Sequence, residues 1–337
     1  MHWALLAVQA LRLALRSGVA FTVLLLAVGC GGGDEAARTA SRSTVESIAF
    51  ASSRDGDFEI YTMRPDGTGV RQLTENEETG EAERRDEGPK WSPDGHWIAF
   101  TSGRDHGRGG VEIYELYVMR ADGTGERRLT DNDVADLLVG WTENGEIVFW
   151  RCSEGVAGCK LAVIDRDGGD ERTVYETEDA VVALGWISGD EVYATIVDRD
   201  AESFDEAETF AIDIGNGDRR TVETSGLPSP DGTQLLILSD RDKNGRCLFH
   251  DCSGHALELY VDDRRLTRTT AMEADAHWSP GGKRILFGRI ENDHGDDYEL
   301  WVMNADGTCE TQLTDNGDWD WTPDWYGRPE DDRTLTC

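Results

Sequence analysis

The sequence predicts an all-β chain folded as a six-bladed β-propeller, and three observations carry that expectation. A block recurs with its key position at residues 91, 141, 186, 228, 278 and 321, at spacings of 42 to 50 residues. This is the period at which propeller blades repeat. Each copy reads as four short strands separated by turn sequences. The end of the chain then supplies an inner strand that its beginning lacks.

The copies are plainest at residues 48–74 (IAFASSRDGDFEIYTMRPDGTGVRQLT), 88–130 (GPKWSPDGHWIAFTS, then VEIYELYVMRADGTGERRLT) and 276–314 (AHWSPGGKRILFGR, then DDYELWVMNADGTCETQLT). Looser copies begin at Gly140-Trp141, Gly185-Trp186 and Ser229-Pro230-Asp231-Gly232. In each, a strand ends at Trp or its equivalent and a tight turn follows. Proline presets φ in that turn, and glycine accepts a positive φ that side chains resist. An apolar strand comes next, such as Trp97-Ile98-Ala99-Phe100, then a polar loop of variable length. Glu115-Leu116-Tyr117-Val118-Met119 alternates with period 2, as a strand should. The turn Ala121-Asp122-Gly123-Thr124-Gly125 leads into a last strand ending Leu129-Thr130.

Four strands of this kind leave apolar faces in water, so the copies must stack on one another. The first copy begins at Ile48 without a Trp-Ser-Pro-Asp-Gly strand, and Asp320-Trp321-Thr322-Pro323-Asp324 offers a spare one. The C-terminus is therefore expected to give blade one its innermost strand, closing a ring over residues 45–327 and leaving 328–337 as a tail. A ring closed on itself is expected to be a monomer.

Residues 1–29 lie outside this ring. Arg12 and Arg16 precede an uncharged run from Ser17 to Gly29, too short for the roughly 20 residues that span a bilayer. The layout is that of a secretory signal. Leu26-Ala27-Val28-Gly29-Cys30 resembles a bacterial lipobox, which implies lipidation at Cys30. A plain signal cleaved nearby is the alternative. Residues 30–44 then form the lipidated cysteine and a small, polar, flexible tether. The expected location is the bacterial cell envelope, extracytoplasmic and held to the membrane by lipid.

Cysteine usage agrees with export. Besides Cys30 there are six: Cys152, Cys159, Cys247, Cys252, Cys309 and Cys337. Their spacing suggests the pairs 152/159, 247/252 and 309/337, and no C-x-x-C points to zinc.

Charge narrows the partners. Against 33 Lys+Arg stand 67 Asp+Glu, a formal net charge of −34. Nucleic acid and anionic membrane surfaces need the opposite balance. The acidic runs Glu75–Glu87 and Asp198–Glu208 read as solvated loops or as a docking face for a basic partner.

Two places invite a chemical reading. Asp240, Asp242, Asn244 and Asp251 follow the spacing of a calcium loop, with Gly245 at the bend, making calcium the one cofactor suggested. The other reading is ordinary loop punctuation, as at Ser53-Arg54-Asp55-Gly56. Asp315–Asp320 is a vaguer second candidate. His277, just before Trp278 on an expected inner strand, is the candidate channel residue.

At its repeated W-S-P-D-G and A-D-G-T-G motifs the chain resembles the TolB-type, WD-like β-propeller family, over about residues 45–325. The resemblance implies a rigid binding platform without catalytic residues. In that family an α/β domain precedes the propeller, and a peptidoglycan-associated lipoprotein docks on it. Here only residues 31–44 lie between the lipobox and the first blade, so the propeller is expected without that domain. Related blades cap serine peptidases, but no G-x-S-x-G elbow occurs in this sequence. The expected function is a membrane-anchored platform for a protein, peptide or glycan, with specificity in the variable loops. The alternative is a metal-dependent, lyase-like carbohydrate-active enzyme at the channel mouth, using His277 and nearby acids.

Overall fold

The computed structural model describes residues 46–76, 85–105, 114–154, 157–197, 208–222, 226–239, 241, 257–269, 271–290 and 298–337. The chain opens with β1 (Ser47–Ser52), β2 (Glu59–Met63) and β3 (Arg71–Gln72). Blade two is β4 (Asp86–Trp91), β5 (Trp97–Ser102), β6 (Glu115–Arg120) and β7 (Arg127–Arg128). Blade three is β8 (Ala135–Trp141), β9 (Glu146–Glu154), β10 (Ala157–Asp165) and β11 (Arg172–Thr177). Blade four is β12 (Ala180–Ser188), β13 (Glu191–Val197), β14 (Glu208–Asp213) and β15 (Arg219–Val222). Blade five is β16 (Leu227–Pro228), β17 (Leu235–Ser239), β18 (Glu258–Val261) and β19 (Arg264–Arg265). Blade six is β20 (Met272–Trp278), β21 (Arg284–Ile290), β22 (Tyr298–Asn304) and β23 (Thr311–Gln312), and β24 (Asp320–Tyr326) follows it.

These strands form six four-stranded antiparallel sheets, and β24 joins the first as its inner strand, in the order β24-β1-β2-β3. The six-bladed, C-terminally closed ring expected from the repeat is the fold. Apolar clusters fill the spaces between blades. Ile98, Phe100 and Met119 of blade two meet Ala49, Ala51 and Ile60 of blade one. At the seam, Leu286, Leu300 and Val302 of blade six meet Ile48, Phe50 and Tyr61. The blade-one turn Pro65-Asp66-Gly67-Thr68-Gly69 makes a further contact there. A Cβ on Gly67 (φ +78°) would lie 2.7 Å from the Leu313 carbonyl oxygen of blade six, so only glycine fits that approach.

The repeat's polar residues hold each blade together. Thr130 Oγ1 donates to Glu115 Oε2 at 2.5 Å and accepts the Leu116 N–H at 3.0 Å. Thr74 makes the same pair of contacts with Glu59 and Ile60, and Thr314 Oγ1 accepts from Leu300. Arginines on or just after the second strand of the blade then reach the buried acid near the start of the inner strand: Arg54 after β1 to Asp320 at 2.8 Å, Arg151 on β9 to Asp136 at 2.7 Å, and Arg289 on β21 to Glu273 at 3.0 Å. These carboxylates are therefore paired within the blades, where a buried carboxylate needs a partner.

Two registers differ from the sequence expectation. The position of Trp91, opposite Ile98, is taken in blade one by Trp325, opposite Ile48, rather than by Trp321. Pro323-Asp324 looks like the repeat's turn, but pairing with β1 places it inside the strand. In blade four, Ile187 opposite Val192 takes that position, so Trp186 falls one residue earlier. Cys152–Cys159 and Cys309–Cys337 are bonded as expected. Cys247 and Cys252 lie outside the described residues.

Candidate binding site at the propeller axis

The inner strands β4, β8, β12, β20 and β24 each carry a bulge shortly before the Trp position. A bulge adds a residue to one strand and re-aims the side chains beside it. Gly88 takes a positive φ (63°) at this point, and so do Asp275 (46°) and Thr322 (47°) on β20 and β24, a conformation seldom adopted by residues with side chains. The residue immediately before the Trp position marks a common level on the six inner strands. From blade one to blade six these residues are Asp324, Lys90, Gly140, Trp186, Leu227 and His277.

This level has two unlike walls. Blades six, one and two contribute His277, Asp324 and Lys90, whereas blades three, four and five contribute Gly140, Trp186 and Leu227. On the polar wall Lys90 Nζ stands 3.8 Å from Asp324 Oδ1, and Asp324 Oδ2 accepts the Trp91 N–H at 2.7 Å. Asp275 joins from β20, where its Oδ2 accepts Tyr298 Oη at 2.8 Å and the Thr322 N–H at 3.1 Å. Thr322 Oγ1 in turn accepts the Gly88 N–H at 3.2 Å. These contacts run across blades six, one and two.

Desolvation dominates its electrostatics. It pushes the carboxyls of Asp275 and Asp324 upward, while Lys90 draws both back down. The His277 imidazole is pushed down to about 3, first by burial and then by the Lys90 charge, so it is neutral at pH 7. The Tyr298 hydroxyl is pushed well up by burial and by the neighbouring Asp275. The wall thus offers one ammonium, carboxylates already engaged by N–H and O–H donors, and a neutral imidazole. That set suits hydrogen bonding to a polar ligand.

Aromatic rings stand beside it. Trp319 packs on Tyr298 at 6.0 Å and on Trp321 at 5.8 Å, and Phe58 approaches Trp321 at 5.3 Å, measured between ring centroids. The buried Trp321 and Trp186 Nε1 groups have no hydrogen-bond partner. Among the described residues the rim offers no comparable apolar surface, since Val70, at 40% exposure, is the one large hydrophobic side chain standing out.

His277 lies on β20, opposite Leu286 and immediately before Trp278. Among the described residues no group of three His, Cys, Asp or Glu side chains is placed to hold a metal ion. In the 315–320 run, Asp320 is engaged by Arg54 and by Asn316 Nδ2 at 2.8 Å. Cys30, Asp240, Asp242, Asn244 and Asp251 lie outside the described residues. Lys90, Asp275, Asp324 and Tyr298 were missed. Comparing the residue before Trp across the copies could have found Lys90, but the register of β24 was needed to add Asp324.

No protein-family model matches the chain. An uncharacterised protein of Agrobacterium fabrum is 30% identical over 138 residues, covering 39% of this chain and 43% of that protein. The Tol-Pal system protein TolB of Desulfosudis oleivorans is 36% identical over 77 residues, covering 23% of this chain and 16% of that protein. The chain thus matches less than half the length of these curated relatives. Among solved structures, TolB from Acinetobacter baumannii superposes with a TM-score of 0.58 at 16% identity, over 84% of this chain and 67% of that one. Six copies of the repeat, the closing C-terminal strand and these matches together show a six-bladed β-propeller fold, with local sequence similarity to TolB proteins.

Proposed function

We propose that this propeller is an extracytoplasmic binding platform for a protein or peptide, tethered to the bacterial envelope through a lipidated Cys30. The observation that carries the reading is the division of the axial level into a polar wall (His277, Asp324, Lys90) and an uncharged one (Gly140, Trp186, Leu227). An extended peptide has the same division, with backbone amides and polar groups on one side and apolar side chains on another. Blades hold such a level rigid, so little ordering cost falls on the platform itself. The TolB proteins among the relatives are named as components of a Tol-Pal system, which supports a protein partner over a glycan.

A photo-crosslinking residue at Leu227 should capture a partner from intact envelopes, and Lys90→Glu should abolish that capture. The same crosslinker at Val70, on the rim, should capture nothing that Lys90→Glu removes. Equal capture from both positions would refute an axial site. Cys30→Ala should release the protein from the membrane fraction; persistent membrane association would refute the lipid tether. Calcium at Asp240, Asp242, Asn244 and Asp251 belongs to the same reading. It predicts a melting temperature raised by added calcium and lowered by EDTA, and an unmoved melt would remove it.

A further inference from the structure

The turn that leaves the inner strand is built around a carboxylate in blades two and five. Asp94 Oδ1 accepts Ser92 Oγ at 2.7 Å and the His96 N–H at 3.0 Å. Asp231 Oδ1 accepts Ser229 Oγ at 2.7 Å and the Thr233 N–H at 3.0 Å. Blade six keeps the serine but has glycine where the acid should be, in Ser279-Pro280-Gly281-Gly282-Lys283. A carboxylate is nevertheless present, and it comes from the tail. Asp332 Oδ2 accepts Ser279 Oγ at 2.6 Å and the Lys283 N–H at 3.0 Å, the same two donors. Its Oδ1 accepts Arg284 Nε at 2.8 Å, and its carbonyl oxygen accepts Lys283 Nζ at 3.1 Å. The Asp332 residue is fully buried.

Space allows one such acid and no more. A Cβ on Gly281 would lie 2.7 Å from Asp332 Cβ and 2.7 Å from the Pro329 carbonyl oxygen. Gly281 is not held at a positive φ, so the backbone there could carry an aspartate once the tail withdrew. Beyond Asp332, the Leu335 N–H donates to Asn304 Oδ1 at 2.6 Å, and Cys337 is bonded to Cys309 of blade six. The tail therefore leaves blade one and fastens onto blade six, crossing the seam that β24 already closes.

We propose that the turn of blade six is a carboxylate seat, specific for an aspartate on an extended segment and filled by the chain's own C-terminal strap. The ring is then completed twice, by β24 in the sheet of blade one and by Asp332 in the turn of blade six. Three full-length variants test this, all keeping the Cys309–Cys337 bond. Asp332→Gly should lower the Tm by about 5–10 °C and speed hydrogen exchange at the Lys283 amide at least about tenfold. Gly281→Asp alone should also lower the Tm, because it collides with the strap. The double variant should melt above either single one and regain protection at Lys283, because the acid is then supplied from within the turn. A double variant that melts no higher than Asp332→Gly, with the Lys283 amide still unprotected, would overturn the proposal.

Discussion

The level that blades six, one and two line with His277, Asp324 and Lys90 is lined across the axis by Gly140, Trp186 and Leu227. The bulges differ as well: blades six, one and two place Asp275, Thr322 and Gly88 at positive φ three residues before the Trp position, and blade three has no positive-φ residue in its inner strand. The residue after the level behaves otherwise. Trp91, Trp141 and Trp278 enter the clusters between blades, and Ile187 takes that role in blade four. The Trp position is held by packing in these blades, whereas the residue before it changes in chemistry from blade to blade, and in blade five it too, as Leu227, packs against the core. The polar wall also belongs to the blades whose repeat is strictest, and it spans the seam where β24 closes the ring.

The largest expected effect is on closure. Deleting residues 318–337 removes β24 and with it part of the polar wall, and the cooperative transition in a circular-dichroism melt should be lost. An unchanged melt would mean that blade one does not need its C-terminal strand. Next in size is the contrast between buried and exposed ion pairs. Arg289→Ala strands the buried Glu273 in blade six and should cost about 3–5 kcal/mol. Lys160→Ala in blade three breaks an exposed contact with Glu176, at 3.1 Å, and should cost about 0–1 kcal/mol in urea unfolding. Equal losses would show that the blades are not distinguished in this way.

A smaller effect is a dependence on pH. Burial, and then the charge of Asp86, push the Glu59 carboxyl of blade one up to about 8 from 4.5. Between those values the folded chain binds a proton that the unfolded chain has released. The contribution of Glu59 is therefore full below about 4.5 and is lost as the pH rises through about 8. Glu59→Gln should flatten that part of the stability–pH curve; an unaltered slope would place its origin elsewhere. The smallest effect concerns the axis itself. Lys90→Met removes the charge that helps hold His277 at about 3, so the imidazole should titrate at higher pH by NMR. No movement would separate Lys90 from the wall that contains His277.

The number of blades, their turns and the pairing of four of the cysteines could be read from the chain because each rests on local chemistry. Pro-Asp-Gly makes a turn wherever it is exposed, alternation marks a half-buried strand, and repetition adds up weak signals. Registers without such punctuation could not be read. Trp321 and Trp325 both precede plausible continuations, and the choice falls to Ile48, more than 270 residues away in the sequence. Asp324 stayed hidden for the same reason, because it looked like a turn residue until β1 claimed its strand.

By itself, the sequence determined that six similar units must hide their apolar faces against one another, since that follows from residue type and spacing alone. Tertiary structure decided which residues meet at the axis and where the sixth turn obtains its acid. Those contacts join Lys90 to Asp324 and Ser279 to Asp332, partners set by how the ring closes and not by any local preference of the chain.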